Sequence, residues 1–154
     1  MELQHLGRYR LVAPFVVDSS DEGRRANRFF VARHEDEPDE GPPTYLVKLH
    51  ELGRGAEGDA RRARFEHESR LLRAFNHPSI PTVHAAGEQD GLPYIVMDRV
   101  DGIDLATLCG HRSGTPRPLA KEIAVYVLGQ IVDAVRHVHE LEIDDEVGSG
   151  LLDV

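Results

Sequence analysis

A lysine stands in the middle of the run TYLVKLH at residues 44–50. Tyr45, Leu46, Val47 and Leu49 have the aromatic and aliphatic character of a strand buried in a sheet. Side chains alternate faces along a strand, so Leu46, Lys48 and His50 leave it on one side. The Lys48 ammonium must then reach water along its own stem, pair with an anion, or lose its charge. An edge-strand lysine that keeps other strands away is one reading. A second misplaced charge narrows the choice. From about Asp59 or Ala60 to Phe75, the apolar residues Phe65, Leu71, Leu72 and Phe75 recur at helical spacing. Glu68 falls three residues after Phe65 and four before Leu72, inside the apolar stripe, where a carboxylate is costly unless a cation or donors meet it. Arg64 is the local partner, but an arginine placed N-terminal to its acid is the weaker orientation, worth roughly 0.2–0.5 kcal/mol at best. Lys48 is the alternative. If the helix packs across the strand, the two charges account for each other.

The segments around this pair alternate between strand and helix. RYRLVAPFVV (8–17) and RFFVAR (28–33) read as strands, separated by the polar, turn-like DSSDEGRRAN (18–27). HEDEPDEGPP (34–43), with three prolines, reads as a solvated acidic connector. Pro78 in NHPSIP (76–81) stops the helix. TVHAAGE (82–88) and LPYIVMDRV (92–100) then form a strand pair around an Asp-Gly turn. After a loop at 110–118, residues 119–141 make a long helix whose apolar positions Ile123, Val127, Leu128, Ile131, Val135 and Val138 predict a broad buried face. The implied fold class is α+β, a five-stranded antiparallel sheet with one helix, followed by the first helices of a helical layer.

The totals exclude several functions. The chain has 154 residues, enough for one modest domain. A net charge of −9 argues against general nucleic-acid or anionic-membrane binding. The single cysteine, Cys109, forms no internal disulfide, and no signal peptide or membrane-spanning run is present. A cytoplasmic protein is expected.

Several ordered motifs over residues 7–141 resemble the N-terminal lobe of a bacterial, eukaryotic-like serine/threonine protein kinase. GRYRLVAPF and FVARH are similar to the family's first two strands. YLVKLH stands where the family has V-A-I-K, and RFEHESRLLRAFNHPSIPTVH is similar to its helix and following His-Pro-x-Ile turn. PYIVMDRVDGIDL looks like the last N-lobe strand and hinge. The resemblance implies a partial kinase domain over 1–154, with an N lobe at about 7–97, a hinge at 98–104 and the start of a C lobe at 105–154. It makes Lys48 the ATP phosphate anchor and Glu68 its activating partner. Met97 becomes the gatekeeper. The Asp98 carbonyl and Val100 N–H would meet the adenine edge, Asp104 would reach the ribose, and Phe15, Phe29 and Leu46 would line the pocket. ATP with Mg2+ is the implied cofactor of the parent kinase. The implied partners are a protein substrate or the remainder of the kinase domain.

Three departures qualify the implied activity. The loop VVDSSDEGRRAN (16–27) has only Gly23 where the family has a glycine-rich loop, and it carries Asp18, Asp21 and Glu22. Leu46 replaces the family's small alanine and Phe29 its valine, which narrows the adenine pocket. Neither H-R-D-x-x-x-x-N nor D-F-G occurs, and LEIDDEVGSGLLDV (141–154) resembles an insertion that precedes that catalytic loop. The expectation is the front part of a longer kinase, inactive alone and without a catalytic base. The rival is a pseudokinase-like interaction module with weak or no ATP binding. No metal site is expected from the nine histidines, since His137 and His139 point to different helix faces. His77 reads as structural and Cys109 as a buried small residue.

Overall fold

The computed structural model describes residues 5–15, 27–51, 55–111 and 113–141. The divergent loop at 16–26 and the acidic segment at 142–154 lie outside the described residues. Six strands form one antiparallel sheet: β1 (His5–Leu6), β2 (Tyr9–Pro14), β3 (Asn27–His34), β4 (Tyr45–His50), β5 (Val83–Gln89) and β6 (Leu92–Asp98). Their spatial order is β1-β2-β3-β4-β6-β5. Helix α1 spans Ala56–Ala74, α2 spans Leu105–Leu108 and α3 spans Lys121–Glu140. The sheet has one strand more than the sequence predicts. Gly7, at φ +55°, lets the chain turn back so that Leu6 pairs with Tyr9.

Alternation along β4 sorts the residues as anticipated. Val47 and Leu49 are fully buried and join Leu6, Ala32 and Val96 in the core on one face of the sheet. Tyr9, Leu11, Phe30, Tyr45 and Tyr94 pack around them. The edge strands are drawn together by Gln89, whose side chain accepts from the Gly7 N–H at 3.2 Å and donates to the His5 carbonyl at 2.9 Å. The β5–β6 turn has positive φ at both Asp90 (54°) and Gly91 (77°), the geometry that matches strand twist and that Asp-Gly tolerates.

Two expectations are corrected. The acidic connector is not merely solvated. Buried Arg33 donates through Nη1 to the carbonyls of Pro38 at 3.0 Å and Glu40 at 3.3 Å, and through Nη2 to that of Gly41. Nothing in the residue pattern marks this arginine, because its partners are backbone oxygens. The second correction concerns α3, none of whose residues is buried. Leu128 is 59% exposed and Ile131 47% exposed, where the sequence predicts a buried face. The polar side of α3 makes its contacts. Asp133 meets His77 at 3.1 Å, Gln130 accepts from the Ser79 hydroxyl at 3.0 Å, and His137 accepts from the Asn76 N–H at 3.4 Å. His77 has the structural role expected of it, with its Nδ1 also accepting from the Ser79 N–H. Cys109 is half-buried rather than buried.

Candidate nucleotide-anchoring site

Helix α1 starts at Ala56, a few residues earlier than the apolar spacing indicates. Gly55 at φ 72° breaks the chain there, and Glu57 and Asp59 suit the positive end of the first turn. The helix lies against β5 and β6 and buries Phe65. Glu68, one turn further on, reaches Lys48 across the gap between helix and sheet. The Nζ–Oε1 distance is 2.6 Å, with side-chain exposures of 16% for Lys48 and 42% for Glu68. Arg64 is not the partner, so the cross-element pairing prevails over the local one. The short charge-assisted contact fixes the ammonium at one end of a long stem, while the open side of Glu68 leaves it hydrated.

Register defines what surrounds the pair, because directly opposed residues share a face. Phe29 lies opposite Lys48, and Lys48 opposite Ile95. Ala13 lies opposite Val31, Val31 opposite Leu46, and Leu46 opposite Met97. Phe29, Leu46, Lys48 and Met97 therefore share one face of the sheet, away from the core. The N–H of Phe15 donates to the Phe29 carbonyl at 2.8 Å, which seats Phe15 at the rim of that face. His50, two residues beyond Lys48, stacks on Phe65 with ring centroids 5.5 Å apart. Burial, aided by the Lys48 charge, holds its pKa below the ordinary histidine value.

The remaining candidates lie at the end of β6 and after it. The Asp98 carboxylate accepts from the Thr82 N–H at 2.9 Å and meets His84 Nε2 at 2.6 Å. The His84 hydrogen bond, with help from Thr82, keeps the Asp98 carboxyl below its usual range. Sequence reasoning singled out Asp98 for its carbonyl alone. The carboxylate clamp escaped it, because its partners, Thr82 just before β5 and His84 within it, are distant in sequence. The Arg99 N–H donates to the Thr44 carbonyl at 2.9 Å, tying the segment after β6 to the start of β4. Val100 is 70% exposed. Asp104 caps α2, one carboxylate oxygen accepting from the Thr107 N–H at 2.7 Å. Lys48, Leu46, Phe29 and Met97 are thus brought together on one surface, with Phe15 at its rim. Among the described residues, no group of three or more His, Cys, Asp or Glu side chains is arranged to hold a metal ion.

This architecture is that of a partial protein kinase domain, the sheet and α1 forming its N lobe. The kinase domain of Mycobacterium tuberculosis PknI matches with a TM-score of 0.65 at 26% identity, over 86% of this chain and 48% of that domain. A second structure of the same domain gives 0.67 at 25% identity, over 91% and 52%. Homologues by sequence are bacterial serine/threonine-protein kinases, over about half of the chain. PrkC of Bacillus subtilis is 32% identical over 80 residues, 52% of this chain and 12% of PrkC. PknF of M. tuberculosis is 38% identical over 81 residues, 51% of this chain and 16% of PknF. No protein-family profile matches. The chain thus resembles part of a serine/threonine kinase domain; it spans about half of the solved domains it matches and 12–16% of the curated relatives it matches. No helix among the described residues is long and apolar enough to cross a membrane.

Proposed function

We propose that this chain is the nucleotide-anchoring portion of an ATP-dependent serine/threonine protein kinase. The observation that carries the reading is the Lys48–Glu68 contact of 2.6 Å on the sheet face shared with Leu46 and Met97. A carboxylate that orients a compact cation is what the α and β phosphates of ATP require. Bound Mg-ATP would supply the transferable phosphoryl group. Lys48 would hold its phosphates, the Asp98 carbonyl and Val100 N–H its adenine edge, and Asp104 its ribose. The phosphate end fits, while Leu46 and Phe29 narrow the adenine end. The 154 residues contain neither a catalytic base motif nor the family's magnesium ligands, so phosphotransfer by this chain alone is not expected. The protein substrate would engage the complete kinase, and the half-buried, unpaired Cys109 suits a reducing cytoplasm.

A thermal melt with Mg-ATP tests the reading. At a dissociation constant on the order of 100 μM, a tenfold excess stabilises by about 1.4 kcal/mol, a shift of several degrees that Lys48→Ala abolishes. A radiolabelled phosphate-transfer assay on the chain should show no turnover. Leu46, opposite Met97, favours the second reading, an interaction module that keeps the fold without the nucleotide. An unchanged melt in saturating Mg-ATP selects it.

A further inference from the structure

Helix α3 exposes an apolar stripe that is complementary to itself. Val125, Leu128, Val132 and Val135 recur at alternating steps of three and four residues, the spacing at which one helix meets another. Their exposure runs from 49% at Val135 to 65% at Val132. Gln130, Asp133 and His137, which tie α3 to the turn at 76–79, leave the helix on its opposite side, so the stripe points away from the other described elements. Charge is distributed along one flank of the stripe with opposite signs at the two ends. Glu122 stands near the start and Arg136 near the end, each seven residues from Gly129. Gly129 has open space where a Cβ would lie. A glycine in mid-helix weakens the helix, and what it offers in return is close approach of another backbone. Among the described residues Glu122 makes no ion pair. Arg136 contacts Asp133 at 2.6 Å through one nitrogen, which leaves the guanidinium further donors.

We propose that two copies of this chain associate through α3, with the helices antiparallel about a two-fold axis beside Gly129. Val125 then packs on Val135 of the second copy, and Leu128 on Val132 of the second copy. On the flank, Glu122 of each copy meets Arg136 of the other. The two-fold repeats every one of these contacts, as a closed dimer requires. A parallel pair would instead set Glu122 against Glu122 and Arg136 against Arg136, so charge chooses the antiparallel arrangement. At the axis, Gly129 leaves no side chain to hold the backbones apart. The stripe is narrow, on a helix of 20 residues and about 30 Å. Stable interfaces bury roughly 1,200–2,000 Å², so this one makes a weak dimer that depends on concentration. The surface is separate from the Lys48 face, and the inference holds under either reading of the nucleotide site.

The test is sedimentation velocity on the full chain, in reducing buffer, across a concentration series. A monomer–dimer equilibrium with a dissociation constant on the order of 50 μM is expected. Leu128→Asp should weaken it at least about tenfold, while the melt of a dilute sample stays unchanged because Leu128 is exposed in the monomer. Glu122→Arg should weaken it about fivefold, and Arg136→Glu similarly. An equimolar mixture of these two variants should regain the native affinity, because every arginine then faces a glutamate across the antiparallel pair. A chain that stays monomeric at every concentration would overturn the proposal and leave the stripe to the remainder of a kinase domain. A dimer indifferent to Leu128→Asp would lie on another surface, and one indifferent to Glu122→Arg would not be antiparallel about Gly129. Either result would overturn it, as would a mass that rises past the dimer without limit.

Discussion

The sheet half and the helical half of this chain handle apolar residues in opposite ways. From β1 to β6, alternating side chains close into a core in which Leu6, Ala32, Val47, Leu49 and Val96 are completely buried. In α3 the residues are as apolar, yet none is buried, and the helix is held by polar contacts to the turn at 76–79. A sheet that curls until its edges meet can bury one face by itself. A single helix cannot, and needs a second layer. The difference teaches that a hydrophobic stripe reports a capacity for burial, whereas burial itself depends on what lies opposite.

Truncation at matched positions is the severest way to break this comparison. Leu49→Ala removes volume from the closed core and should cost about 2–5 kcal/mol in chemical denaturation. Ile131→Ala, on exposed α3, should stay within about 0.5 kcal/mol. Equal losses would mean that α3 is packed in solution. Next comes Arg33→Ala, which leaves the Pro38, Glu40 and Gly41 carbonyls without their donor. It should cost about 1–3 kcal/mol and raise hydrogen exchange in the 35–43 connector. A smaller effect is expected from Lys48→Ala. With Glu68 42% exposed, water replaces the lost partner, so stability should fall by less than about 1 kcal/mol, even where the proposed Mg-ATP binding is abolished. A larger loss would make the pair structural rather than functional.

The smallest effect is a slope. The folded-state pKa of His50 is held below its unfolded value by burial and Lys48. Above the ordinary histidine pKa, both states are neutral and the folded state carries no penalty. As pH falls below that value, the unfolded chain takes up a proton before the folded one does, and stability declines until the folded pKa is passed. A series of denaturation curves from pH 7.5 to 5 should show this decline, and His50→Gln should flatten it. An unchanged slope would place His50 in water rather than between Phe65 and Lys48.

Local pattern made much of the molecule readable. The alternation in TYLVKLH put Lys48 on one face with Leu46 and His50, and the stripe position of Glu68 demanded a cation that Arg64 was poorly oriented to supply. Asp90-Gly91 announced its hairpin, because few residue pairs accept two positive φ angles in succession. The sequence was silent where the partner is backbone or comes from a distant element. Arg33 looks like any strand arginine, and the Asp98 carboxylate shows no sign of Thr82 and His84 in its own neighbourhood.

The sequence by itself determined the order of five of the six strands and of the two long helices, the residues that share a face of β4, and the need for Glu68 to meet a cation, because period and charge are properties of residues a few positions apart. Tertiary structure alone decided that the meeting occurs at 2.6 Å, that the edge strands are bridged by Gln89 and that α3 stays exposed. Each of these is a distance between surfaces brought together by the fold, and such distances are set by the packing of the whole sheet rather than by any one segment.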